Sequence, residues 1–533
     1  MPIYPITNLP NYSIVLLSAS VVDFFKLHHL LGNAPFYESF CPHLQSDVCL
    51  GQIFPTGSVA LPETIYDVAI IGAGPGGYSA AFRAGQLGLK TCLIEKDPLL
   101  GGTCLHVGCI PTKALLFHAE IYDHMKAAQE YGIDGLGAGK VNWKAIQDRK
   151  GKIVAKHTKG LDFLVRKNKV DRVQGFGRLT GPAKAGVFAV ELEAEGKKSE
   201  IKAKNIILAT GSFARLLPGL QADDRILTNI EVLSLDAIPK SMVIVGCGAV
   251  GVEFASVYRS FGAEVTLIEM LPRLVPVEDE EVSKELQRSF RKRGINCFVD
   301  TKVEKVEKTK DGVAVFFTPQ GQSQQRVEAE KVLVAIGRGP NTENIGLEKV
   351  PNIKVERGFV HVNQWMETGE KGIYAIGDIV AGLPQLAHAG AMGGIVAVTR
   401  IAGKPAQPMN KNRIPGCTYC EPQIGSVGLT EAQAKEAGYQ VKVGKFPFTA
   451  NSKATIINNH EGFIKVVSDA KYGEILGVHI IGPVATELIA EAVAVMQLEG
   501  TVDDLMFTVH AHPTISEGML DAFSAVEGKA INF

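Results

Sequence analysis

Two groupings of residues in this chain could do chemistry directly. Cys104 and Cys109 stand five apart in Gly101-Gly102-Thr103-Cys104-Leu105-His106-Val107-Gly108-Cys109-Ile110-Pro111-Thr112-Lys113. On an ideal α-helix such residues lie about 140° apart around the axis. Their Cα atoms then exceed the ~7 Å limit for a disulfide. Gly108 and Pro111 both disfavour a regular helix, so the segment can distort enough to close the ring. A close pair beside a flavin could accept two electrons and hand them on. A metal site and two unrelated thiols are the alternatives, although no further ligand cluster is evident. The second grouping is His510-Ala511-His512-Pro513-Thr514-Ile515-Ser516-Glu517. Pro suits the first turn of a helix, so His512 is expected just before one and Glu517 in its early turns. The carboxylate could then orient the ring and stabilise the imidazolium, as in a base–orienter pair. A purely structural His is the alternative.

The elements that must position these groups come from an internal repeat. Residues 67–72 read as a buried strand entering Gly72-Ala73-Gly74-Pro75-Gly76-Gly77, followed by a helix and a second strand ending at Glu95. Met242-Val243-Ile244-Val245 enters Gly246-Cys247-Gly248-Ala249-Val250-Gly251 in the same way, with a strand ending at Glu269. First glycine to acid is 95 − 72 = 23 and 269 − 246 = 23 residues. One GxGxxG is weak evidence; two copies in strand–loop–helix context, each with its acid, are strong. The glycines allow the tight turn, the approach of a pyrophosphate and helix–strand packing, and each acid can accept from a ribose 2′-OH. The helix N-terminus faces the phosphates. Two such units imply two dinucleotides with electrons passing between them. Glu269 would repel a 2′-phosphate, and Arg273 is the nearby cation, which favours NAD over NADP.

Composition agrees with an ordinary multidomain globular protein. The 533 residues imply three or four domains. The formal charge of −1 supplies no global field for nucleic acid or an acidic surface. Nine Cys are too sparse for a disulfide-stapled secreted scaffold.

The segment GGTCLHVGCIPTKALL resembles the redox-active stretch of the pyridine nucleotide–disulfide oxidoreductases. The resemblance runs from about Ile65 to the C-terminus, with five motifs in the family's order. It implies an α/β fold with two Rossmann-like dinucleotide-binding domains and an α+β C-terminal dimerisation domain. The expected organisation is an N-terminal extension over 1–64, poorly ordered; an FAD-binding domain over 65–212; an NAD-binding domain over 213–340; a central segment over 341–411 completing the FAD site; and an interface domain over 412–533. It implies FAD at the first repeat and NAD at the second, and no metal. Cys104 would be the interchange thiol that meets substrate and Cys109 the charge-transfer thiol. Lys113 would lie near the flavin, paired with Glu253. FAD would further meet Gly72, Gly74, Gly77, Glu95, Lys96, Gly102, Thr103, Gly177, Gly211, Asp378 and Ala387. NAD would meet Gly246, Gly248, Gly251, Glu269, Val303 and Gly337. His512 would act from the partner subunit of a homodimer. His106 stands where the family usually has Asn, and Thr112 where it often has Ser; neither touches the sulfurs.

The implied reaction is oxidation of protein-bound dihydrolipoyl groups with NAD+ as acceptor. The implied partners are the lipoyl-bearing proteins of 2-oxoacid dehydrogenase complexes or the glycine cleavage system. A glutathione-type reductase would want basic residues where Glu269 and Val275 stand, and a mercuric reductase a C-terminal cysteine pair. A redox-sensing flavoprotein subunit is argued against by Lys113, His512 and Glu517.

Cys417-Thr418-Tyr419-Cys420 lacks the second pair of a zinc site and is expected to be inert. Cys92, Cys247 and Cys297 read as buried small apolar residues. In the first 64 residues the run Ser13–Val22 is too short to cross a bilayer. That stretch has a single Lys and no Arg, unlike a transit peptide. A bacterial cytosol is therefore expected, with a mitochondrial matrix or plastid as the alternative. No metal role is expected for Cys41, Cys49, His28 or His29.

Overall fold

Two parallel sheets follow directly from the repeat. In the computed structural model, which describes residues 64–137 and 139–533, the strand Val68–Ile71 is buried throughout. It pairs in parallel with Thr91–Glu95 on one side and Ile206–Leu208 on the other. Asp171–Gln174 and Ile373–Ala375 complete the five strands at the two edges. The second sheet centres on Ser241–Val245, between Glu264–Ile268 and Lys331–Val334, with Ile226–Leu227 and Asn296–Phe298 outside them. Strands buried on both faces read as near-continuous apolar runs, which is why Val-Ala-Ile-Ile and Met-Val-Ile-Val are legible as sheet centres.

Each parallel sheet has an antiparallel companion. Phe176–Leu179, Phe188–Ala194 and Lys197–Ala203 form the first meander, and Thr301–Lys308, Val313–Pro319 and Gln325–Ala329 the second. The edge strand Ile373–Ala375 brings the chain back to the first sheet after the second is complete.

The remaining sheet is wholly antiparallel. Gly416–Thr418, Gln423–Gly428, Ile475–Gly482, Phe463–Asp469 and Val441–Pro447 lie in that spatial order. Helices Ala485–Gln497 and Glu517–Val526 pack on it around Phe446, Ile464, Val478, Ile489, Met519 and Phe523. Gly444 allows the last helix to approach, since a Cβ there would sit 2.2 Å from the Ala522 carbonyl oxygen.

The expected N-terminal extension lies, except for Thr64, outside the described residues, as do Cys41, Cys49, His28 and His29. No helix among the described residues is long and apolar enough to cross a membrane.

Candidate active site

The cysteine segment is two helices broken at one residue. Gly102–Val107 ends at Gly108, whose φ of −147° and ψ of −117° are not helical, and Cys109–Lys126 begins immediately after. A Cβ at Gly108 would sit 2.9 Å from the Thr103 carbonyl oxygen, so the break is tight. Pro111 does not break the chain. It occupies the first turn of the long helix, where its missing N–H costs nothing. Thr112 caps the break by donating from N (3.1 Å) and Oγ1 (2.7 Å) to the Gly108 carbonyl. Asn229 Nδ2 donates to the Val107 carbonyl at 2.6 Å.

Cys104 and Cys109 are thereby brought into hydrogen-bond contact and are half-buried. In the reduced pair the Cys104 thiol donates to Cys109 and, with the Lys113 ammonium, lowers the Cys109 pKa to about 7 against the opposing effect of burial. The same hydrogen bond and burial push Cys104 upward. Cys109 is also the first residue of an 18-residue helix, whose positive dipole end favours a thiolate.

Lys113 lies one turn further on and donates to both oxygens of Glu253 at 2.8 Å. Glu253 is 3% exposed, on helix Ala249–Ser260 of the second repeat. Burial opposes the Lys113 charge, but Glu253 and Cys109 hold its pKa above the ordinary lysine value. The expected pairing is therefore present.

The two glycine loops match atom for atom. Gly72 and Gly246 have φ of 105° and 95°, and a Cβ at each would lie 2.3 and 2.5 Å from the carbonyl oxygens of Ala209 and Ala335. At Gly77 and Gly251 a Cβ would strike the carbonyl oxygen of the first glycine, at 1.8 and 2.0 Å. At Gly74 and Gly248 it would meet nothing within 4 Å. The first and third glycines are thus packed shut, and the middle one opens a cradle a side chain would fill. This is the space a pyrophosphate needs beside the helices Pro75–Gln86 and Ala249–Ser260. Glu95 accepts from Ala73 N at 2.8 Å and Asp97 N at 3.0 Å; Glu269 accepts from Cys247 N at 2.7 Å and Leu271 N at 3.0 Å. Each carboxylate is locked against its own loop with acceptor capacity to spare for a ribose hydroxyl. Gly246→Ala combines positive φ with a clash on Ala335. It should cost about 2–4 kcal/mol of stability and weaken dinucleotide binding at the second cradle while the first is left intact, as read by thermal melting and titration.

The other expected residues are distributed around these cradles. Gly102 abuts the first loop, its Cβ position lying 2.8 Å from Gly74 Cα. Thr103 and Lys96 follow, half-buried and exposed. Gly211 and Gly337 both have positive φ at the ends of the crossings. Gly177 differs in kind: Ile71, Ile94 and Val190 occupy the space beside it, so its small size serves packing. Val303 stands at a β-bulge and packs partly on the core of the second sheet and its meander. Ala387 opens the helix Ala387–Ile401. The glycines of 389–394 let this helix press on the first one, with a Gly394 Cβ position only 2.8 Å from the Gly76 carbonyl oxygen. Asp378 accepts from Ser212 Oγ at 2.5 Å. Arg338 donates to Ser212 through Nε at 2.7 Å and to its carbonyl through Nη2 at 2.7 Å. Neither Arg338 nor Asn229 stood out in the sequence, because each acts by joining distant segments.

His512 Nδ1 lies 2.9 Å from Glu517 Oε1. Against a carboxylate Nδ1 must carry the proton, leaving Nε2 as the basic lone pair. Glu517 Oε2 accepts from Thr514 N at 2.8 Å. Burial works against the Glu517 charge, but Thr514 and His512 hold its pKa below the usual range. The expectation that Pro513 opens the helix is corrected: the helix is Glu517–Val526 and Pro513 precedes it in a cis peptide. Thr514 N donates to the Glu517 carboxylate, while its hydroxyl donates to the Ala511 carbonyl; no side chain caps the helix, whose N-cap residue is Ser516. Among the described residues no hydrogen bond or ion pair joins His512 to Cys104.

Among the described residues, the remaining thiols are unsuited to redox chemistry. Burial raises Cys417 to about 11 and Cys92 and Cys297 to about 12. Cys420 and Cys247 are fully buried and lifted well above the ordinary thiol value. Cys297 corrects the sequence reading, being half-buried at the sheet edge.

Comparison with known proteins agrees with this geometry. Residues 66–394 match the pyridine nucleotide-disulphide oxidoreductase family model, and residues 414–523 match the dimerisation domain of that family. The chain is 44% identical over 482 residues to a dihydrolipoyl dehydrogenase of Rhizobium etli, covering 88% of this chain and 99% of the relative. It is 43% identical over 477 residues to the Bacillus subtilis dihydrolipoyl dehydrogenase, covering 88% and 100%. A mitochondrial dihydrolipoyl dehydrogenase of Pisum sativum is 41% identical, covering 87% and 92%. Among solved structures, LpdA from Mycobacterium tuberculosis superposes with a TM-score of 0.79 at 28% identity, covering 86% and 98%.

Proposed function

The chain belongs to the pyridine nucleotide-disulphide oxidoreductase family, and we propose that it oxidises protein-bound dihydrolipoyl groups to the lipoyl disulfide with NAD+ as acceptor. The observation that carries this reading is the break at Gly108, which sets Cys104 and Cys109 together and leaves Cys109 as the stabilised thiolate. Four relatives named dihydrolipoyl dehydrogenase, each at least 42% identical over nearly their whole length, support the substrate.

The open cradles at Gly74 and Gly248 fit two dinucleotides. Gly72, Gly74, Gly77, Glu95, Lys96, Gly102, Thr103, Lys113, Gly177, Gly211, Asp378 and Ala387 would hold FAD. Gly246, Gly248, Gly251, Glu269, Val303 and Gly337 would hold NAD. When bound, these groups would supply the two-electron acceptors that return the reduced cysteine pair to the disulfide.

The chain's own residues perform the thiol chemistry. His512 Nε2 takes a proton from one substrate thiol. The resulting thiolate attacks Cys104 Sγ of the Cys104–Cys109 disulfide. That bond breaks, a mixed disulfide forms, and Cys109 leaves as a thiolate; a low-pKa thiol leaves faster. The second substrate thiol then attacks the substrate sulfur of the mixed disulfide, and Cys104 departs, taking up that thiol's proton. One dithiol has been oxidised and one cysteine pair reduced, with the first proton held on His512 and the second on Cys104. Lys113, fixed by Glu253, stabilises the new charge on Cys109.

A homodimer in which His512 serves the other subunit's Cys104 is supported by the matched dimerisation domain and by the exposure of the apolar residues Phe507 and Val509 beside His512. A bacterial cytosol is the proposed location, supported by the bacterial sources of many relatives.

Stopped-flow comparison of lipoamide, glutathione disulfide and Hg(II) with NADH tests the substrate. Lipoamide alone should turn over. Turnover of either rival substrate without lipoamide would refute the reading.

A further inference from the structure

Three separate parts of the chain converge at the Lys113 ammonium. Lys113 belongs to helix Cys109–Lys126 and its partner Glu253 to helix Ala249–Ser260. The third part is the antiparallel sheet. Tyr419 follows its edge strand Gly416–Thr418, and its ring centroid lies 4.7 Å from Lys113 Nζ. The backbone N–H of the same residue donates to Glu253 Oε1 at 2.9 Å. One residue therefore grips both members of the ion pair.

Its own position is over-determined. Two residues on, Glu421 N donates to Ser256 Oγ at 3.0 Å, one helical turn beyond Glu253. The Glu421 carbonyl accepts from Arg293 Nη1 at 2.8 Å. The segment 419–421 is thus stapled along helix Ala249–Ser260 by successive donors, and the ring cannot drift from the lysine. The Tyr419 hydroxyl makes no hydrogen bond among the described residues, so the ring face carries the contact.

We propose that Tyr419 is a positioning residue for the cysteine pair: the antiparallel sheet uses its ring and backbone N–H to hold the Lys113–Glu253 pair against Cys109. A cation over a shielded aromatic face is held by the ring quadrupole. Lys113 is pulled between Glu253, the ring and the Cys109 sulfur. Removing the ring frees the ammonium to settle on Glu253 alone, and Cys109 loses part of its counter-charge. The charge at the thiolate then depends on a sheet that also forms the dimerisation domain. The proposal rests on the reading of Cys109 as the stabilised thiolate.

The groups facing Cys109 are Cys104, Lys113, Glu253, Tyr78 and Arg338. Those facing Lys113 add Tyr419 and Cys417. None but Tyr419 is altered in the test. The reduced holoenzyme is alkylated with iodoacetamide across pH 5–10 (a range that contains the ordinary thiol value of about 8.5), and Cys109 modification is followed by peptide mass spectrometry. Wild type and Tyr419→Phe should share a midpoint near 7. Tyr419→Leu, which keeps the backbone N–H, should move it up by about half to one unit, making alkylation about three- to tenfold slower at low pH. An unmoved Leu profile would overturn the proposal, even if melting temperature or flavin content fell, since that is a structural role. A Phe profile displaced as far as that of Leu would also overturn it, by assigning the effect to the hydroxyl. A wild-type midpoint at the ordinary thiol value would refute the Cys109 reading itself, and the proposal with it.

Discussion

Cys109→Ser reduces NAD+-linked oxidation of dihydrolipoamide to background. The reason is the absence of a bond. Without the second sulfur Cys104 remains a single thiol, and the substrate thiolate meets no disulfide to attack. The NAD cradle between Gly246 and Glu269 is untouched, so NADH still bleaches the bound flavin, which separates this loss from misfolding. Cys104→Ser blocks turnover equally, but the surviving thiols differ. In Cys104→Ser a hydroxyl still donates where the thiol did, Lys113 is still paired with Glu253, and Cys109 still begins its helix. Cys109 in that variant keeps a substantial thiolate fraction at neutral pH. Cys104 in Cys109→Ser also has a hydroxyl neighbour, but it does not begin a helix, and burial continues to hold its pKa up. Alkylation at pH 7 should therefore be about tenfold faster for Cys109 in the Cys104→Ser variant than for Cys104 in the Cys109→Ser variant. The sign follows from Cys109's lowered pKa: its thiolate is present above about 7 and lost as pH falls below it. Steady-state NADH formation and iodoacetamide kinetics check the two halves. Retained turnover in Cys109→Ser would mean that electrons avoid the pair, and equal alkylation rates would mean that the two sulfurs are not differentiated.

Much of this was legible because sterics leave few options. The repeat was readable because only glycine tolerates a carbonyl oxygen at 2.3 or 2.5 Å from its Cβ position, as at Gly72 and Gly246. The helix break was readable because Gly108 sits between two cysteines whose helical spacing forbids a bond. What escaped reading was cooperative across long separations. Asn229 satisfies the carbonyl freed at Val107 over 122 residues of sequence, and Tyr419 reaches Glu253 over 166. Neither residue type advertises such a role, and Tyr419 lay inside a CxxC whose thiols drew attention instead. Pro513 misled in the opposite direction. Its preference for a first helical turn is real, but Thr514 N donates to the Glu517 carboxylate across the turn that follows it, and the helix starts only at Glu517.

His512→Gln slows dihydrolipoamide oxidation by about 10²–10⁴-fold, the usual contribution of a positioned acid–base group. The glutamine amide still reaches Glu517, so the loop should stay in place, but no lone pair of adequate basicity remains. The deficit should narrow as pH approaches the substrate thiol's own pKa, because the dithiol then arrives already ionised. Flavin reduction by NADH should be unchanged, as His512 has no part in the second cradle. The geometry also bears on which subunit supplies the base. His512's side chain is 72% exposed, and Glu517's 26%. A catalytic imidazole this open in one copy needs a second surface to exclude water from the exchange. If that surface carries the other subunit's Cys104, mixing His512→Gln with Cys104→Ser copies creates dimers with one intact site each, built from the undamaged half of either chain. Neither homodimer is active, yet the mixture recovers about a quarter of the wild-type sites after free subunit exchange, as two-fold symmetry requires. A mixture that stays dead while gel filtration shows exchanged dimers would place both groups in one chain. A wild-type rate in His512→Gln would remove the imidazole from the proton transfer altogether.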